Sequence, residues 1–347
     1  MKQSSQPKSL LVVRLSALGD VAMTIPAIYS LAMQHPEQPV KVLTLQPFAR
    51  LFIGKPANVT LIAVAKADIK GLKGLVRLLR LLSKEDIGLV ADLHNVLRSW
   101  LVDAYFRLRG RRVAMLDKGR KARLTLLRER GSGAQHKAYT TRYFEVFRRL
   151  GFAVEPTFTT VLEHDTAQPD FTAVLPDAEK TAIGIAPFAR YQNKTYPLQL
   201  MEQVVAQLSA DGRFRVLLFS GGKHEREQME AWQGRYPNTL SVAGRYSLDD
   251  EIRLMARVRV MVTMDSANMH LASLVGTPVV SVWGSTTPQC GFMGWGQQQA
   301  HAMLMGCDCQ PCTIAGSNSC RRGDFRCLQF APDALCRRIV SLTKLPL

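Results

Sequence analysis

"VVRLSALGDVAMTIPAI", residues 12–28, breaks one apolar run at a glycine, places an acid directly after it, and then starts a second apolar run. The first run, LLVVRL (10–15), is short and rich in β-branched residues, which predicts a strand. Residues 21–35 have helical spacing instead. Together they predict a strand, a turn and a helix, with Asp20 at the corner.

The same alternation continues through the first half of the chain. Further strands are predicted at 39–45, 59–65 and 87–93, with a basic amphipathic helix at 72–86 and a helix at 140–151 that ends at Gly151. Apolar strands that alternate with helices predict a parallel sheet covered by helices on both faces.

A second alternating series follows an acidic stretch at 163–180 that contains two prolines, and we place a domain boundary there. Its strands are predicted at 181–189, 215–222, 261–265 and 277–286, and a helix at 197–212. We therefore expect an α/β chain with two doubly wound, Rossmann-like domains, residues 1–168 and 169–330. Ligands are expected in the cleft between them, beyond the carboxyl ends of the strands.

The formal charge of +17 is unevenly distributed along the 347 residues. Residues 66–150 contain 21 Lys or Arg and 8 Asp or Glu. Such a patch attracts nucleic acid, an anionic membrane or an acidic substrate, although a solvated basic face is the alternative. No apolar run is long enough to span a bilayer and residues 1–10 do not resemble a signal peptide, so we expect a cytoplasmic protein.

The strand at 261–265 ends in a corner that suits a phosphate. Asp265 and Ser266 lead into a helix that carries His270 one turn in, and small Ala267 leaves the helix N-terminus open to a ligand. The simpler interpretation is that Asp265 and Ser266 cap the helix and that His270 is a structural histidine.

Three more corners of the second domain carry polar residues. GSTT (284–287) offers hydroxyls that suit a pyrophosphate, or forms a simple turn. Glu225 follows paired glycines near a helix start, where a carboxylate can hold ribose hydroxyls. Lys194 follows the first strand of this domain and is either a point charge for a leaving diphosphate or one of many solvated cations.

The segments LSALGDVAMTIPAI, FARYQNKTYP and MDSANMHLASLVGTPVVSVWGSTTP, and the late cysteine-rich segment, occur in the same order as in the bacterial lipopolysaccharide heptosyltransferases, glycosyltransferase family 9. The chain resembles that family over most of its length. The resemblance implies a GT-B type fold and an inverting transfer of heptose from ADP-L-glycero-D-manno-heptose to the lipopolysaccharide inner core, without a metal or cofactor. A related transferase using another nucleotide sugar and a catalytically silent sugar-binding relative are the alternatives.

The resemblance also implies roles for individual residues. Asp20 alone would be taken for a helix cap, but it matches the family's catalytic base, and Lys194 matches the lysine on the donor phosphates. The residues that match the donor site are Glu225, Asp265, Ser266, Ala267, His270, Thr286 and Thr287. The sequence departs from the family at Ala267, where many members have glycine, and at Tyr196, where tryptophan is common.

The implied acceptor is a lipid that carries acidic Kdo sugars and phosphates. Arginine suits such groups because its planar fork binds two oxygens. The candidate acceptor-binding residues are Arg98, Lys118, Arg120, Lys121 and Arg123. The helix at 70–84 either rests on the anionic inner face of the inner membrane or is simply solvated. A nucleic-acid-binding protein is the rival interpretation, but no recognition module is visible and aromatic content is 7%, so we expect no nucleic acid partner.

Five of the seven cysteines lie within residues 307–327. They form the pattern C-x-C-x2-C-x7-C-x6-C: Cys307, Cys309, Cys312, Cys320 and Cys327. In a cytosolic chain we expect reduced thiols, and a metal site is the alternative although the spacing matches no known zinc finger. The fold class suggests that the last segment, 331–347, packs back on the first domain.

Overall fold

The computed structural model describes residues 8–130, 135–176 and 179–343. By contacts between residues, the chain divides into two compact units, Met1–Lys118 with Tyr139–Thr166 and Gly119–Ala138 with Ala167–Leu347. Each unit contains its own parallel sheet with helices, so the predicted α/β class is confirmed. Segment 119–138 belongs by contacts to the second unit, and the boundary at 168 stays a prediction.

The strands are β1 (Ser9–Val13), β2 (Val40–Leu45), β3 (Val59–Val64), β4 (Ile87–Asp92), β5 (Arg112–Met115), β6 (Thr181–Ala186), β7 (Phe214–Leu218), β8 (Thr239–Ser241), β9 (Val260–Met264), β10 (Val279–Trp283) and β11 (Ala302–Leu304). The helices are α1 (Leu18–Ala22), α2 (Ile25–Gln34), α3 (Gln46–Ala49), α4 (Gly71–Leu82), α5 (Leu97–Leu108), α6 (Arg120–Arg128), α7 (Tyr139–Arg149), α8 (Leu198–Ala210), α9 (Lys223–Arg235), α10 (Leu248–Met255), α11 (Ala267–Leu274) and α12 (Pro332–Thr343). No helix of the described chain has both the length and the apolar content that a bilayer crossing requires.

In each sheet, successive strands lie on either side of a central pair. The orders are β3-β2-β1-β4-β5 and β11-β10-β9-β6-β7-β8, and the paired strands are parallel. The order therefore reverses between β1 and β4 in one sheet and between β6 and β9 in the other. At such a switch point the loops after the two strands diverge and leave room for a ligand. Candidate residues on these loops thus lie where this fold class binds its ligands.

Helices α4 and α5 cover the same face of the first sheet. Leu78 of α4 and Phe106 of α5 belong to one buried cluster with Leu11 and Val13 of β1. The predicted helix at 72–86 corresponds to α4, and its leucines at helical spacing account for this buried side. The sequence does not predict α5, because the apolar residues of this helix are distributed around its circumference.

Helix α12 packs into the second unit. Leu335 and Ile339 are fully buried in one cluster with Met201 and Val205 of α8. The fold class predicts this segment on the first domain, whereas its apolar face completes the core of the second unit. Residues 344–347 lie outside the described chain.

Candidate active site

Asp20 lies on the short helix α1, directly beyond the carboxyl end of β1. Its Oδ2 is 2.7 Å from Nη2 of Arg14, whose side chain is 7% exposed against 36% for Asp20. The carboxylate also accepts the N–H of Ala17 at 3.2 Å, as a capping residue does. A buried cation thus holds a carboxylate that stays partly open to solvent.

Sequence reasoning missed two residues beside Asp20. Arg14 directly follows β1, and its Nη1 donates to the carbonyl of Leu93 after β4 at 2.6 Å. Burial, together with the charges of Arg14 and Lys118, lowers the pKa of His94 to about 3, so its imidazole is neutral at physiological pH. These groups come together only because β1 pairs with β4 in the sheet. No short sequence motif predicts that pairing.

Two of the five candidate acceptor residues lie near this corner. Arg98 and Lys118 are both within electrostatic range of His94, and both disfavour its protonation. The other three, Arg120, Lys121 and Arg123, lie on α6, which groups with the second unit. The structure therefore gathers part of the predicted basic set around Asp20.

Asp92 shapes the loop that carries His94. Its Oδ1 accepts the N–H groups of His94 at 2.8 Å and Asn95 at 2.9 Å, and its Oδ2 accepts the hydroxyl of Ser99 at 2.7 Å. Asp103 of α5 is fully buried beside Asp92. Burial, and then the negative charge of Asp92, raise the pKa of Asp103 to about 8. Asp103 therefore keeps its proton at neutral pH.

Lys194 and Asp265 form a buried ion pair in the second unit. Lys194 ends a 3₁₀ turn, Gln192–Lys194, in the loop after β6, and Asp265 follows β9. Nζ and Oδ2 are 2.7 Å apart, and the two side chains are 13% and 4% exposed. Thr286, after β10, donates its hydroxyl to the same Oδ2 at 2.6 Å. Three predicted donor residues thus converge at the switch point.

Hydroxyl groups without protein partners lie at the same edge of the sheet. Ser266 is the residue before α11, but its side chain does not cap the helix. Its Oγ and that of Ser220, after β7, are buried with no hydrogen-bond partner among the residues the structure describes. The N-terminal N–H groups of α11, which begins at Ala267, lie beside Ser266. A phosphate could accept from these groups.

The remaining predicted donor residues have different surroundings. His270 is a largely buried residue of α11, and Thr287 is buried just after β10. Glu225, in the first turn of α9, accepts the N–H of Gly221 at 2.8 Å through Oε2. Its carboxylate thus orders the glycine corner after β7, the place where the sequence predicted a nucleoside contact.

The cysteine-rich segment fastens the turn that carries Lys194. Asn193 is buried and donates from Nδ2 to the hydroxyl of Ser317 at 2.8 Å, while its carbonyl accepts the N–H of Ser285 at 2.8 Å. The carbonyl of Ser285 in turn accepts the N–H of Cys312 at 2.9 Å. These partners are far apart in sequence, so sequence reasoning could not identify Asn193, and it identified Ser285 only as one of the hydroxyls of the GSTT corner.

The cysteines themselves are free thiols. Four of them line one small cavity: Cys309, Cys312, Cys320 and Cys327. Burial and the neighbouring sulfurs raise the pKa of Cys327 to about 12. In the described parts of the chain, no group of three or more His, Cys, Asp or Glu is arranged to hold a metal ion.

We expect Asp103→Asn to flatten the pH dependence of stability. Unfolded Asp103 releases its proton near pH 4 and folded Asp103 near pH 8, so its stabilising contribution is complete below pH 4 and is lost as the pH rises towards 8. Between pH 5 and 8 the variant should lose about 1–3 kcal/mol less unfolding free energy than the wild type, measured by urea titration. The exposed Asp308→Asn should follow the wild type, and an unchanged slope in Asp103→Asn would contradict the assignment.

We expect Gly284→Ala to displace the turn that carries Lys194. A Cβ at Gly284 would lie well inside van der Waals contact with the main-chain oxygen of Asn193, which cannot rotate away. The unfolding free energy should fall by about 1–3 kcal/mol in chemical denaturation. Gly212→Ala is the matched control, because a Cβ there meets nothing within 4 Å. Equal unfolding free energies of the two variants would contradict this prediction, because they would show that the turn moves at no cost.

Known proteins share both the sequence pattern and this fold. The model of glycosyltransferase family 9 (heptosyltransferase) matches residues 75–319, well over half of the chain. Lipooligosaccharide heptosyltransferase 2 of Haemophilus influenzae is 32% identical over 124 residues, which cover 34% of this chain and only 35% of that protein. Lipopolysaccharide heptosyltransferase 1 of Pseudomonas aeruginosa is 28% identical over 327 residues, 87% of this chain and 85% of the relative.

A solved structure matches nearly the whole chain. Escherichia coli heptosyltransferase WaaC with ADP superposes with a TM-score of 0.67 at 19% identity, covering 96% of this chain and 99% of WaaC. This likeness confirms the GT-B type fold that the resemblance implied. Because the family model matches residues 75–319, more than half of the chain, the chain belongs to glycosyltransferase family 9, the heptosyltransferases.

Proposed function

We propose that the protein transfers heptose from ADP-L-glycero-D-manno-heptose to the lipopolysaccharide inner core, with inversion at the anomeric carbon. The observation that carries the donor half is the buried Lys194–Asp265 pair at the switch point of the second sheet, on the sheet edge where the hydroxyl of Ser266 has no hydrogen-bond partner within the described ranges. Family membership supports it, and so do solved relatives described with ADP and with ADP-2-deoxy-2-fluoro heptose.

The donor diphosphate would bind beside Asp265. Lys194 Nζ supplies one positive charge, oriented by Asp265, and the N–H groups at the start of α11 supply further donors. Ser266 adds a hydroxyl, Thr286 holds Asp265 in place, and Glu225 would face the ribose. These groups meet the charge that develops on a departing ADP, so the proposed transfer requires neither a metal nor a cofactor.

Asp20 would act as the base. Its carboxylate takes the proton of the acceptor hydroxyl, the acceptor oxygen bonds to the anomeric carbon, and the bond from that carbon to the diphosphate oxygen breaks on the opposite face. Arg14 orients the carboxylate of Asp20 through the 2.7 Å ion pair. The proton ends on Asp20 and the electron pair leaves with ADP.

The acidic acceptor would bind the basic residues of the candidate set. Arg98 and Lys118 lie near His94. The imidazole of His94 is neutral, so it does not repel these two cations. Arg120, Lys121 and Arg123 on α6 are the other proposed acceptor contacts. Because such an acceptor is anchored in a lipid, we propose that the protein works in the cytoplasm at the inner face of the inner membrane.

Calorimetric titration with ADP, GDP and UDP tests the donor proposal. We expect selective binding of ADP, weakened about 10- to 100-fold in Lys194→Gln, because one charge-assisted hydrogen bond is lost. The control Lys223→Gln removes a lysine whose side chain is 90% exposed and should bind ADP as the wild type does. Tighter binding of GDP or UDP would favour the related transferase that uses another nucleotide sugar.

Asp20→Asn tests the base. The amide keeps the shape of the side chain but cannot accept a proton, so turnover should fall about 100- to 10,000-fold. Calorimetry should show ADP affinity close to that of the wild type, and Asp86→Asn in the same unit should keep full turnover. Asp20→Asn with normal turnover would remove Asp20 from the mechanism.

A further inference from the structure

Helices α4 and α5 expose large apolar side chains to solvent. Of the eleven exposed large apolar residues in the described chain, seven belong to these two helices. They are Leu72, Val76 and Leu81 on α4 and Leu97, Trp100, Leu101 and Leu108 on α5. Leu72, Leu97 and Leu108 are 77%, 70% and 90% exposed, so water contacts most of each side chain.

One surface, which we call the α4–α5 face, contains Leu72 and Val76 of α4 and Leu97, Leu101 and Leu108 of α5. On α5, Leu97, Leu101 and Leu108 recur at spacings of four and seven and share one side of the helix, opposite buried Val102 and Phe106. On α4, Leu72 and Val76 point away from buried Leu78 and Leu82 in the same way. Because both helices cover the same sheet face through a shared core, their outward sides are neighbours.

The α4–α5 face is also strongly basic. Residues 70–112 contain ten Lys or Arg and four Asp or Glu. Asp92 and Asp103 are fully buried, while Glu85 and Asp86 pair with Lys41 and Lys8. The exposed basic residues on or just after the two helices are Lys73, Arg77, Arg80, Lys84, Arg107 and Arg109. Of these, Arg77 pairs with Asp68.

We propose that the α4–α5 face docks on an anionic lipid bilayer. Apolar side chains surrounded by Lys and Arg are what an interfacial helix requires: the former enter the acyl boundary and the latter bind headgroup phosphates. A second copy would bring two like-charged faces together, and a nucleic acid would leave the leucines in water. The inference deepens the proposed location at the membrane by naming the surface that makes the contact.

Vesicle co-sedimentation of the full-length protein tests this inference. The vesicles contain phosphatidylcholine alone or with about a quarter phosphatidylglycerol, and no nucleotide sugar is present. We expect at least about tenfold tighter binding to the anionic vesicles, weakened by added salt. Equal binding to both vesicles, or binding to neither, would overturn the proposal while leaving the ADP titration to decide the transferase proposal separately.

Two triple variants separate the apolar and basic contributions. Leu97→Gln/Leu101→Gln/Leu108→Gln and Lys73→Gln/Arg80→Gln/Lys84→Gln should each weaken binding at least about tenfold. The matched controls are Leu304→Gln/Met305→Gln and Lys223→Gln/Arg257→Gln/Arg259→Gln, which remove exposed residues of the second unit and should bind as the wild type does. Wild-type binding by both triple variants would overturn the proposal.

Trp100 offers a direct reporter that does not depend on destabilising variants. Brominated lipids in the anionic vesicles should quench its fluorescence, and Trp100→Phe should remove most of the quenching, because Trp232 and Trp283 are buried and the half-buried Trp295 belongs to the second unit. Quenching that survives in Trp100→Phe would place the contact elsewhere. Sedimentation equilibrium provides the last check, since a dimer that the leucine variant abolishes would identify a second copy as the occupant instead.

Discussion

The second unit depends on the ion pair between Lys194 and Asp265, because it joins loops from the two strands that flank the switch point. Both side chains are almost withdrawn from water, so removing one partner would leave a buried charge at a cost of about 3–5 kcal/mol. The surrounding contacts fix the pair in place. The hydroxyl of Thr286 donates to Asp265. Asn193 connects the turn that carries Lys194 to Ser285 and the cysteine-rich segment.

The first unit contains the inverse arrangement. There the cation, Arg14, is the buried partner and the carboxylate of Asp20 is the more exposed one. In the second unit the carboxylate of Asp265 is the more buried partner and Lys194 the less buried. One sheet edge therefore presents a negative group and the other a positive group. A proton acceptor and a phosphate-binding group require these opposite charges.

The sequence predicted the parts of this arrangement that depend on local pattern. β-branched runs and helical spacing placed most strands of both sheets, and the corners with Asp20, Lys194 and Asp265 followed from them. It could not predict Arg14, His94 or Asn193 as site residues, because their partners come from distant strands and loops. The same limit explains α12: an amphipathic helix shows that it has an apolar side but not which core that side completes.

The layered build of the first unit has a consequence for how a lipid-anchored molecule would reach it. Helices that cover a parallel sheet run alongside its strands, so the α4–α5 face is a broad flank of the unit and the carboxyl edge is its rim. A flat support beneath that flank would lie parallel to the strands. The corner with Asp20 lies at the rim, so a lipid-anchored substrate would reach it from the side of the flank and not through it.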